Sequence, residues 1–348
     1  MNLKELSTAL GLSQTTVSRA LNGYPEVAEA TRQRVMQAAH QHGYKPNVRA
    51  RGLATGRSMA VGHVIPLSTH HEMVNPIFSD FIAGASEIYL KHGYDMVISA
   101  VPDDSEESAY RALVAKGSVD GVIVHGPSRD DPRIALLREI GMPFVVHGRA
   151  SEATEPYHWV DVNNRSAFKR ATEFLADLGH RRIGLVNGLP SMDFAARRHQ
   201  GYLDALADRG IEADETLIFS SEMTESFGFD ASKSMLSGTS PPTAILGSSI
   251  IASFGIRRAI EDAGLTLGKD VSVITFDDDL SYLKNGQDVP TFTASRSSVR
   301  EAGRLCASTL MQAIADPGIA AQQHLLEAEL MVGRSTGPVP TSLNQQSA

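Results

Sequence analysis

The sequence has few of the features that mark secreted, membrane or metal-binding proteins. Among 348 residues there is one cysteine, Cys306, which by itself cannot form an intramolecular disulfide or a multi-thiolate metal site, and this fits a reducing compartment. No apolar run approaches the roughly 20 residues that span a bilayer, and the first residues carry no basic patch followed by an apolar signal core. The 12 histidines never take the spacing of a zinc site. We therefore expect a cytoplasmic protein without a membrane segment, metal or other cofactor.

Charge is unevenly divided along the chain. The whole sequence has a net charge of −8, but residues 1–57 hold eight Lys and Arg against three Glu, a net +5 that leaves −13 for the remainder. A basic beginning on an acidic body indicates that only the beginning meets a polyanion.

Residues 1–46, called the head below, read as three short helices. The first helix ends at Gly11, the second can be capped by Ser13 and closes at Asn22-Gly23, and the third runs from about Glu29 to His42. Two helices joined by a tight turn predict a helix-turn-helix, in which the second helix enters the major groove of DNA. An ordinary helical hairpin with a polar face would give the same pattern.

The start of the second helix carries side chains suited to DNA. Gln14 can pair bidentately with adenine and Arg19 with guanine, whereas short hydroxyl and amide groups suit phosphate oxygens. The predicted contacts in this helix are Ser13, Gln14, Thr15, Thr16, Ser18, Arg19 and Asn22.

From Ala60 onward, apolar strands alternate with amphipathic helices, which predicts an α/β body of doubly wound parallel sheets. Predicted strands are 61–65, 95–99, 121–124, 144–147, 183–187, 244–247 and 273–277; predicted helices are 78–92, 106–116, 165–178, 197–209, 227–236, 253–263 and 299–315. So many units favour two lobes facing a cleft over one wide sheet. Ligands bind beyond the carboxyl ends of such strands.

The chain resembles the LacI/GalR family of bacterial transcriptional regulators. The resemblance rests on segments such as Thr16-Val17-Ser18-Arg19-Ala20-Leu21-Asn22, Gly43-Tyr44-Lys45-Pro46-Asn47, Leu53-Ala54-Thr55-Gly56, Asn75-Pro76-Ile77-Phe78, Gly179-His180-Arg181-Arg182-Ile183 and Phe276-Asp277-Asp278. One departure is Ala28, where the family usually has a serine that caps the third helix. The resemblance implies a repressor that binds a palindromic operator as a homodimer. Its DNA affinity would be switched by a small effector, expected to be a sugar, with an α-glucoside as one candidate, in a body similar to periplasmic sugar-binding proteins.

The resemblance also implies domain boundaries. The head occupies 1–46, a hinge helix or linker 47–57, the effector-binding and dimerisation body 58–340, and a disordered tail 341–348. The first lobe would comprise about 60–160 with 293–320, and the second 161–290 with 321–336. In the hinge, Leu53 would be the wedge inserted into the minor groove, Ala50 would allow close approach, and Asn47 would lie near the backbone. A passive linker with an exposed leucine is the alternative.

Arg198 and Asp277 are expected to face the cleft, the former near a helix start and the latter at a strand end. An arginine and a carboxylate can clamp vicinal hydroxyls, but they could also form a structural ion pair. Asp278 and Asp279 are expected to be solvated. The predicted effector contacts are Phe78, Asp80, Phe81, His125, Arg149, Phe194, Arg198, Ser249 and Asp277. Phe78 and Phe81 could instead be core, and His125 a satisfied loop histidine. Ser248-Ser249 replaces an Asn-Asp pair found in many relatives.

A sugar-converting enzyme is the competing function. The sequence has no phosphate-binding Gly-rich loop with lysine, no Gly-x-Ser-x-Gly elbow and no metal-binding histidine pair. A catalytic role for Asp277 with His125 lacks a proton-transfer partner. A regulator that is activated or co-repressed by a non-sugar effector is the other alternative.

Overall fold

The computed structural model describes residues 1–21, 24–44, 57–66, 75–102 and 105–340. The head contains α1 (Leu3–Leu10), α2 (Gln14–Leu21) and α3 (Glu29–Gln41). These helices pack around Leu6, Val17, Ala20, Val27, Val35 and Ala39. The three helices predicted for the head are therefore present.

Local chemistry explains where the head helices begin and end. Asn2 and Glu5 form a reciprocal capping box at the start of α1. Gly11 ends that helix at φ 64°, a left-handed conformation that disfavours residues with a Cβ. Ala28 precedes α3 without a side-chain hydrogen bond to the first turn, as its methyl side chain requires. Asn22, Asn47, Ala50, Leu53 and the tail 341–348 lie outside the described residues, so the predictions made for them are not tested.

The first lobe is built on a parallel sheet. Its strands are β1 (Ala60–Pro66), β2 (Asp95–Val101), β3 (Gly121–His125), β4 (Phe144–His147), β5 (Trp159–Val162) and β11 (Gln323–Leu326). They run in the order β11-β5-β4-β3-β1-β2, and every described pair is parallel. Its helices are α4 (Pro76–His92), α5 (Glu106–Ala115), α6 (Pro132–Glu139) and α11 (Val299–Ala315).

The second lobe repeats this architecture with one antiparallel edge. Its strands are β6 (Ile183–Asn187), β7 (Ile218–Ser220), β8 (Ala244–Gly247), β9 (Ser272–Asp277), β10 (Thr293–Arg296) and β12 (Glu329–Met331). The order is β12-β10-β9-β8-β6-β7, and β12 pairs antiparallel with β10. Its helices are α7 (Asn164–Asp177), α8 (Asp193–Asp208), α9 (Glu225–Leu236) and α10 (Ile250–Asp262). The predicted doubly wound sheets are thus confirmed.

The chain passes between the sheets at 162–164, 296–299 and 326–329. The lobe limits expected from the sequence were wrong at two of these places. Thr293–Arg296 pairs with β9 in the second sheet, and Gln323–Leu326 pairs with β5 in the first. Both are four-residue strands without a clear hydrophobic period. Their lobe is therefore decided by the strand with which each one pairs.

Two helices of the first lobe approach each other at glycines. A Cβ on Gly84 of α4 would lie 2.0 Å from the carbonyl oxygen of Arg300, and one on Gly303 of α11 would lie 2.2 Å from that of Phe81. Such distances forbid any larger residue without a shift of backbone, so α4 and α11 form one closely packed pair.

None of the helices in the described parts of the chain is both long and apolar enough to cross a membrane.

Candidate functional site

The exposed start of α2 is the first candidate site. The Ser13 hydroxyl accepts from the Thr16 amide at 3.0 Å and lies 2.8 Å from the Thr16 hydroxyl, so Ser13 caps α2 as predicted. Gln14, Thr15 and Arg19 are exposed, and the guanidinium of Arg19 lies 3.6 Å from Glu26. The buried side of α2 carries Val17 and Ala20. This leaves the polar face predicted to read DNA on the outside of the head.

The second candidate site is the cleft between the carboxyl ends of the two sheets. On the first lobe, His125 ends β3 and His147 ends β4, and both are half-buried. Phe81 packs behind them, its ring centroid 4.8 Å from that of His125 and 4.4 Å from that of His147. His125 and His147 are called the first-lobe wall below.

The imidazoles of this wall are held neutral by their surroundings. Burial lowers the pKa of His147 to about 4. Burial also lowers the pKa of His125 well below its usual range, and the neighbouring His63, His147 and Arg133 lower it further. A neutral imidazole offers one donor and one acceptor, which suits uncharged polar ligands.

On the second lobe, the guanidinium of Arg198 is buried at the cleft end of the sheet. Its Nε donates to Asn164 Oδ1 at 2.7 Å, and its Nη1 donates to the carbonyl oxygen of Ser248. Its Cζ lies 4.0 Å from the ring centroid of Phe276 and 4.9 Å from that of Phe194. Burial lowers the pKa of Arg198 to about 10, so it remains charged at neutral pH.

The carboxylates whose charges act on Arg198 are those of Asp278 and Asp161, and Asp277, which the sequence analysis expected, is not among them. Burial raises the pKa of Asp278 to about 7, although Arg198 favours the ionised form. Asp277 is 4% exposed and accepts from the Asp279 amide at 2.9 Å. Successive side chains at a strand end point to opposite faces, so only one of the two aspartates can face the arginine. Arg198 and Asp278 are called the second-lobe wall below.

Three more predicted effector contacts have partners within the protein. Ser249 is fully buried, and its hydroxyl accepts from the Ile251 amide to cap α10. Phe81 is 1% exposed and belongs to the core behind the histidines. Asp80 accepts from the Ser281 amide at 2.7 Å and from the Ser281 hydroxyl, so it joins the two lobes. The structure therefore does not bring these side chains free into the cleft.

The remaining predicted contacts lie near the cleft. Phe78 is 7% exposed, and its ring centroid lies 5.2 Å from that of His125. Phe194 stands beside Arg198 and is half-buried. Arg149 pairs with Asp161 at 2.7 Å, and Asp161 in turn accepts from Asn164 at 3.2 Å. Arg149 thus belongs to a hydrogen-bonded chain that reaches Arg198 through Asn164.

Sequence reasoning missed His63, Tyr89, His147, Asn164 and Asp278. A histidine inside the apolar strand Ala60–Pro66 was a visible signal for the first, because a buried imidazole needs partners. His147 ended a predicted strand in the same way as His125. Asn164 and Tyr89 lie within helices, and nothing in the local pattern sets them apart.

Comparison with known proteins identifies both parts of the chain. The family described as "Bacterial regulatory proteins, lacI family" matches residues 2–47. The family described as "Periplasmic binding proteins and sugar binding domain of LacI family" matches residues 58–329. The chain belongs to the LacI family of bacterial regulators. It is a helix-turn-helix transcriptional regulator, and the enzyme alternative has no support among its relatives.

LacI-family relatives resemble the chain over nearly its whole length. The HTH-type transcriptional regulator AglR of Rhizobium meliloti (strain 1021) is 42% identical over 98% of this chain and 95% of its own. A solved complex of the transcriptional regulator CelR with cellobiose has a TM-score of 0.72 at 28% identity and covers 96% of this chain and 99% of its own. The Lac repressor dimer bound to operator and the anti-inducer ONPF has a TM-score of 0.79 at 25% identity, with 97% and 99% covered.

Proposed function

We propose that this LacI-family regulator represses transcription as a homodimer on a palindromic operator, and that a sugar in the cleft between its lobes changes its affinity for DNA. One head can read only a half-site, so two heads related by a twofold axis match a palindrome. The Lac repressor relative is a dimer on its operator, and the CelR relative holds cellobiose. This activity places the protein in the cytoplasm with the chromosome.

The observation that carries the proposal is the setting of Arg198. Arg198 is 6% exposed, and its guanidinium is flanked by the rings of Phe276 and Phe194 and is held in one orientation by Asn164 and Ser248. A guanidinium has five N–H donors, and these two contacts leave donors for ligand hydroxyls. Asp278, whose charge acts on Arg198, would supply an acceptor oxygen, so the two residues together suit vicinal hydroxyls of a sugar.

The first-lobe wall complements this charged pair. His125 and His147 present neutral polar rings, and Phe78 packs edge-on against His125. Pockets for small neutral ligands combine aromatic walls with a few polar groups that fix orientation. Phe194 and Arg149 complete our proposed effector contacts at the edge of the cleft. Asp80, Phe81 and Ser249 support the walls.

The DNA contacts are proposed from the same exposed face of α2. Gln14, Thr15 and Arg19 would read base edges, while Ser13, Thr16, Ser18 and Asn22 would contact phosphates. In the linker, Leu53 would wedge into the minor groove between two protomers, with Ala50 and Asn47 against the backbone. Closing the lobes on a sugar would change the spacing of the paired linkers.

A sugar screen tests the effector half of the proposal. The full chain is melted alone and with glucose, maltose, sucrose, cellobiose or raffinose, and any sugar that raises the melting temperature is added to a complex with operator DNA. We expect at least one sugar to bind and to change the DNA affinity, by the few-fold to hundredfold typical of allosteric coupling. A sugar that binds without altering DNA affinity would contradict the proposal that the effector regulates DNA binding.

Fluorescence anisotropy with palindromic fragments from the protein's own chromosome tests the DNA half. Leu53→Ala should weaken binding at least tenfold while the head remains folded. Met36→Ala, at an exposed apolar position of α3 outside the proposed contacts, is the matched control and should bind normally. Equal DNA affinity of the two variants would contradict the proposed insertion of Leu53 into the minor groove.

A further inference from the structure

We infer that Tyr89, His63 and His125 form a hydrogen-bond relay of fixed direction, which turns an N–H donor of His125 toward an acceptor oxygen of the effector. The inference rests on the proposed function for the identity of the effector as a sugar. His125 is the contact residue, and Tyr89 and His63 are positioning residues.

The relay begins at a buried phenol. Tyr89 on α4 is 2% exposed, and its hydroxyl lies 3.1 Å from His63 Nε2. Within the described residues this is the hydrogen-bond partner of the Tyr89 hydroxyl. A buried hydroxyl whose proton has no acceptor destabilises the fold. The phenol O–H therefore donates, and His63 Nε2 accepts.

His63 accepts a hydrogen bond at one ring nitrogen and donates one from the other. It lies in the middle of β1, is fully buried, and its Nδ1 lies 2.9 Å from His125 Nε2. Burial lowers the pKa of His63 to about 3, so the ring carries one proton at neutral pH. Because Nε2 accepts from Tyr89, that proton is on Nδ1, which must donate to His125 Nε2.

His125 then has its own proton on Nδ1. Its Nε2 is occupied by His63, and a neutral imidazole keeps its single hydrogen on the other nitrogen. The described residues provide no hydrogen-bond partner for Nδ1, and the ring is half-buried at the cleft end of β3. The ring is held by His63, which stacks on it, and by Phe78 and Phe81, whose rings pack nearly perpendicular to it. The protonated nitrogen of His125 and the position and orientation of its ring are therefore fixed before a ligand binds.

The direction of the relay selects the ligand atom. A fixed N–H donor favours a hydroxyl, ring or glycosidic oxygen that accepts, and it disfavours a group that can only donate. A bound ligand that leaves this donor without an acceptor binds more weakly, because a buried N–H without a partner is unfavourable. The first-lobe wall therefore discriminates by hydrogen-bond direction rather than by charge.

The ligand-free arm of the test is nitrogen NMR of the full chain labelled with ¹⁵N-histidine, with resonances assigned through His63→Gln and His125→Gln. We expect both His63 and His125 to carry their proton on Nδ1. In Tyr89→Phe the direction is no longer imposed, so both tautomers of His125 should be populated. Protonation of His125 at Nε2 in the unaltered chain, or an unchanged His125 tautomer in Tyr89→Phe, would overturn the relay.

The ligand arm adds glucose, maltose, sucrose, cellobiose and raffinose in turn to the same sample. A sugar that raises the melting temperature should also shift the His125 Nδ1–H resonance, and its affinity should fall about tenfold in Tyr89→Phe. A sugar that binds without moving this resonance overturns the contact. If none of these sugars binds, the proposed effector class and the contact both fail, whereas the relay itself is decided by the ligand-free spectrum.

Discussion

The two walls of the cleft solve the same recognition problem with opposite chemistry. The second-lobe wall keeps a charged guanidinium, Arg198, beside Asp278, whose pKa burial raises to about 7. The first-lobe wall keeps imidazoles that burial makes neutral. In the proposed complex Arg198 would supply the stronger hydrogen bonds to the sugar hydroxyls, because hydrogen bonds from charged groups are stronger than neutral ones. The neutral wall would then contribute the direction of hydrogen bonding and the shape of the site.

The largest expected effect comes from removing the charged wall. Arg198→Ala should weaken sugar binding about 100-fold, because it deletes charge-assisted hydrogen bonds worth about 1.5–3 kcal/mol each. Isothermal titration with the sugar found in the screen measures this. Arg209→Ala, which removes the exposed arginine that follows the same helix, should bind normally. A sugar that binds equally well to both variants would not occupy the cleft as proposed.

The carboxylate of the charged wall should influence stability in a definite pH window. Between the ordinary aspartate pKa near 4 and the value of about 7 in the fold, folded Asp278 keeps a proton that the unfolded chain has lost. This group alone therefore makes the free energy of unfolding fall as pH rises through the window. Asp278→Asn should remove that fall, as measured by urea midpoints from pH 4.5 to 7.5. The exposed Asp230→Asn is the control, and an equal response of both would contradict the assignment.

The neutral wall should act on stability with the opposite sign. Between about 4 and the ordinary histidine pKa near 6.5, His147 stays neutral in the fold while the unfolded chain binds a proton. Its contribution is complete above pH 6.5 and is lost as pH falls. In the same urea series, His147→Gln should flatten the acid-side loss of stability, while the exposed His40→Gln should not. A steeper loss of stability with falling pH in His147→Gln would contradict a lowered pKa of His147 in the fold.

The smallest expected effect concerns the bond between the lobes. Ser281→Ala removes one hydroxyl from Asp80 and should weaken sugar binding about fivefold, equivalent to roughly 1 kcal/mol for one hydrogen bond. The expected reason is that this hydrogen bond joins the two lobes in the arrangement described here, which is the arrangement that we propose the sugar to bind. Ser237→Ala, whose hydroxyl donates within its own helix, serves as control. Tighter sugar binding by Ser281→Ala would show that the bond opposes closure.

Sequence patterns were sufficient for the sheets and for choosing one residue of each wall, His125 and Arg198, but they did not indicate His147 or Asp278. Long apolar strands such as Ile183–Asn187 and the helices between them were predictable because hydrophobic period and length specify them. Edge strands such as Ile218–Ser220 were not, because three residues are too few to show a hydrophobic period. Which of Asp277 and Asp278 faces Arg198 depends on the backbone conformation at the end of β9, and the sequence pattern does not determine that conformation. The hydrogen bond between His63 and His125 joins strands 62 residues apart, which no local pattern encodes.

The start of α11 fastens the two walls to each other. The amide of Ser297 donates to the carbonyl oxygen of Asp277 at 3.0 Å, and that of Val299 donates to the carbonyl oxygen of Asp278 at 3.1 Å. Further along, the glycine contact clamps α11 to α4, the helix that carries Phe78, Phe81 and Tyr89. Helix α11 therefore connects the backbone of Asp278 to α4, through the hydrogen bonds at residues 297–299 and the glycine contact. If sugar binding moves the Asp278 backbone, this connection would carry the movement to the aromatic side chains behind His125.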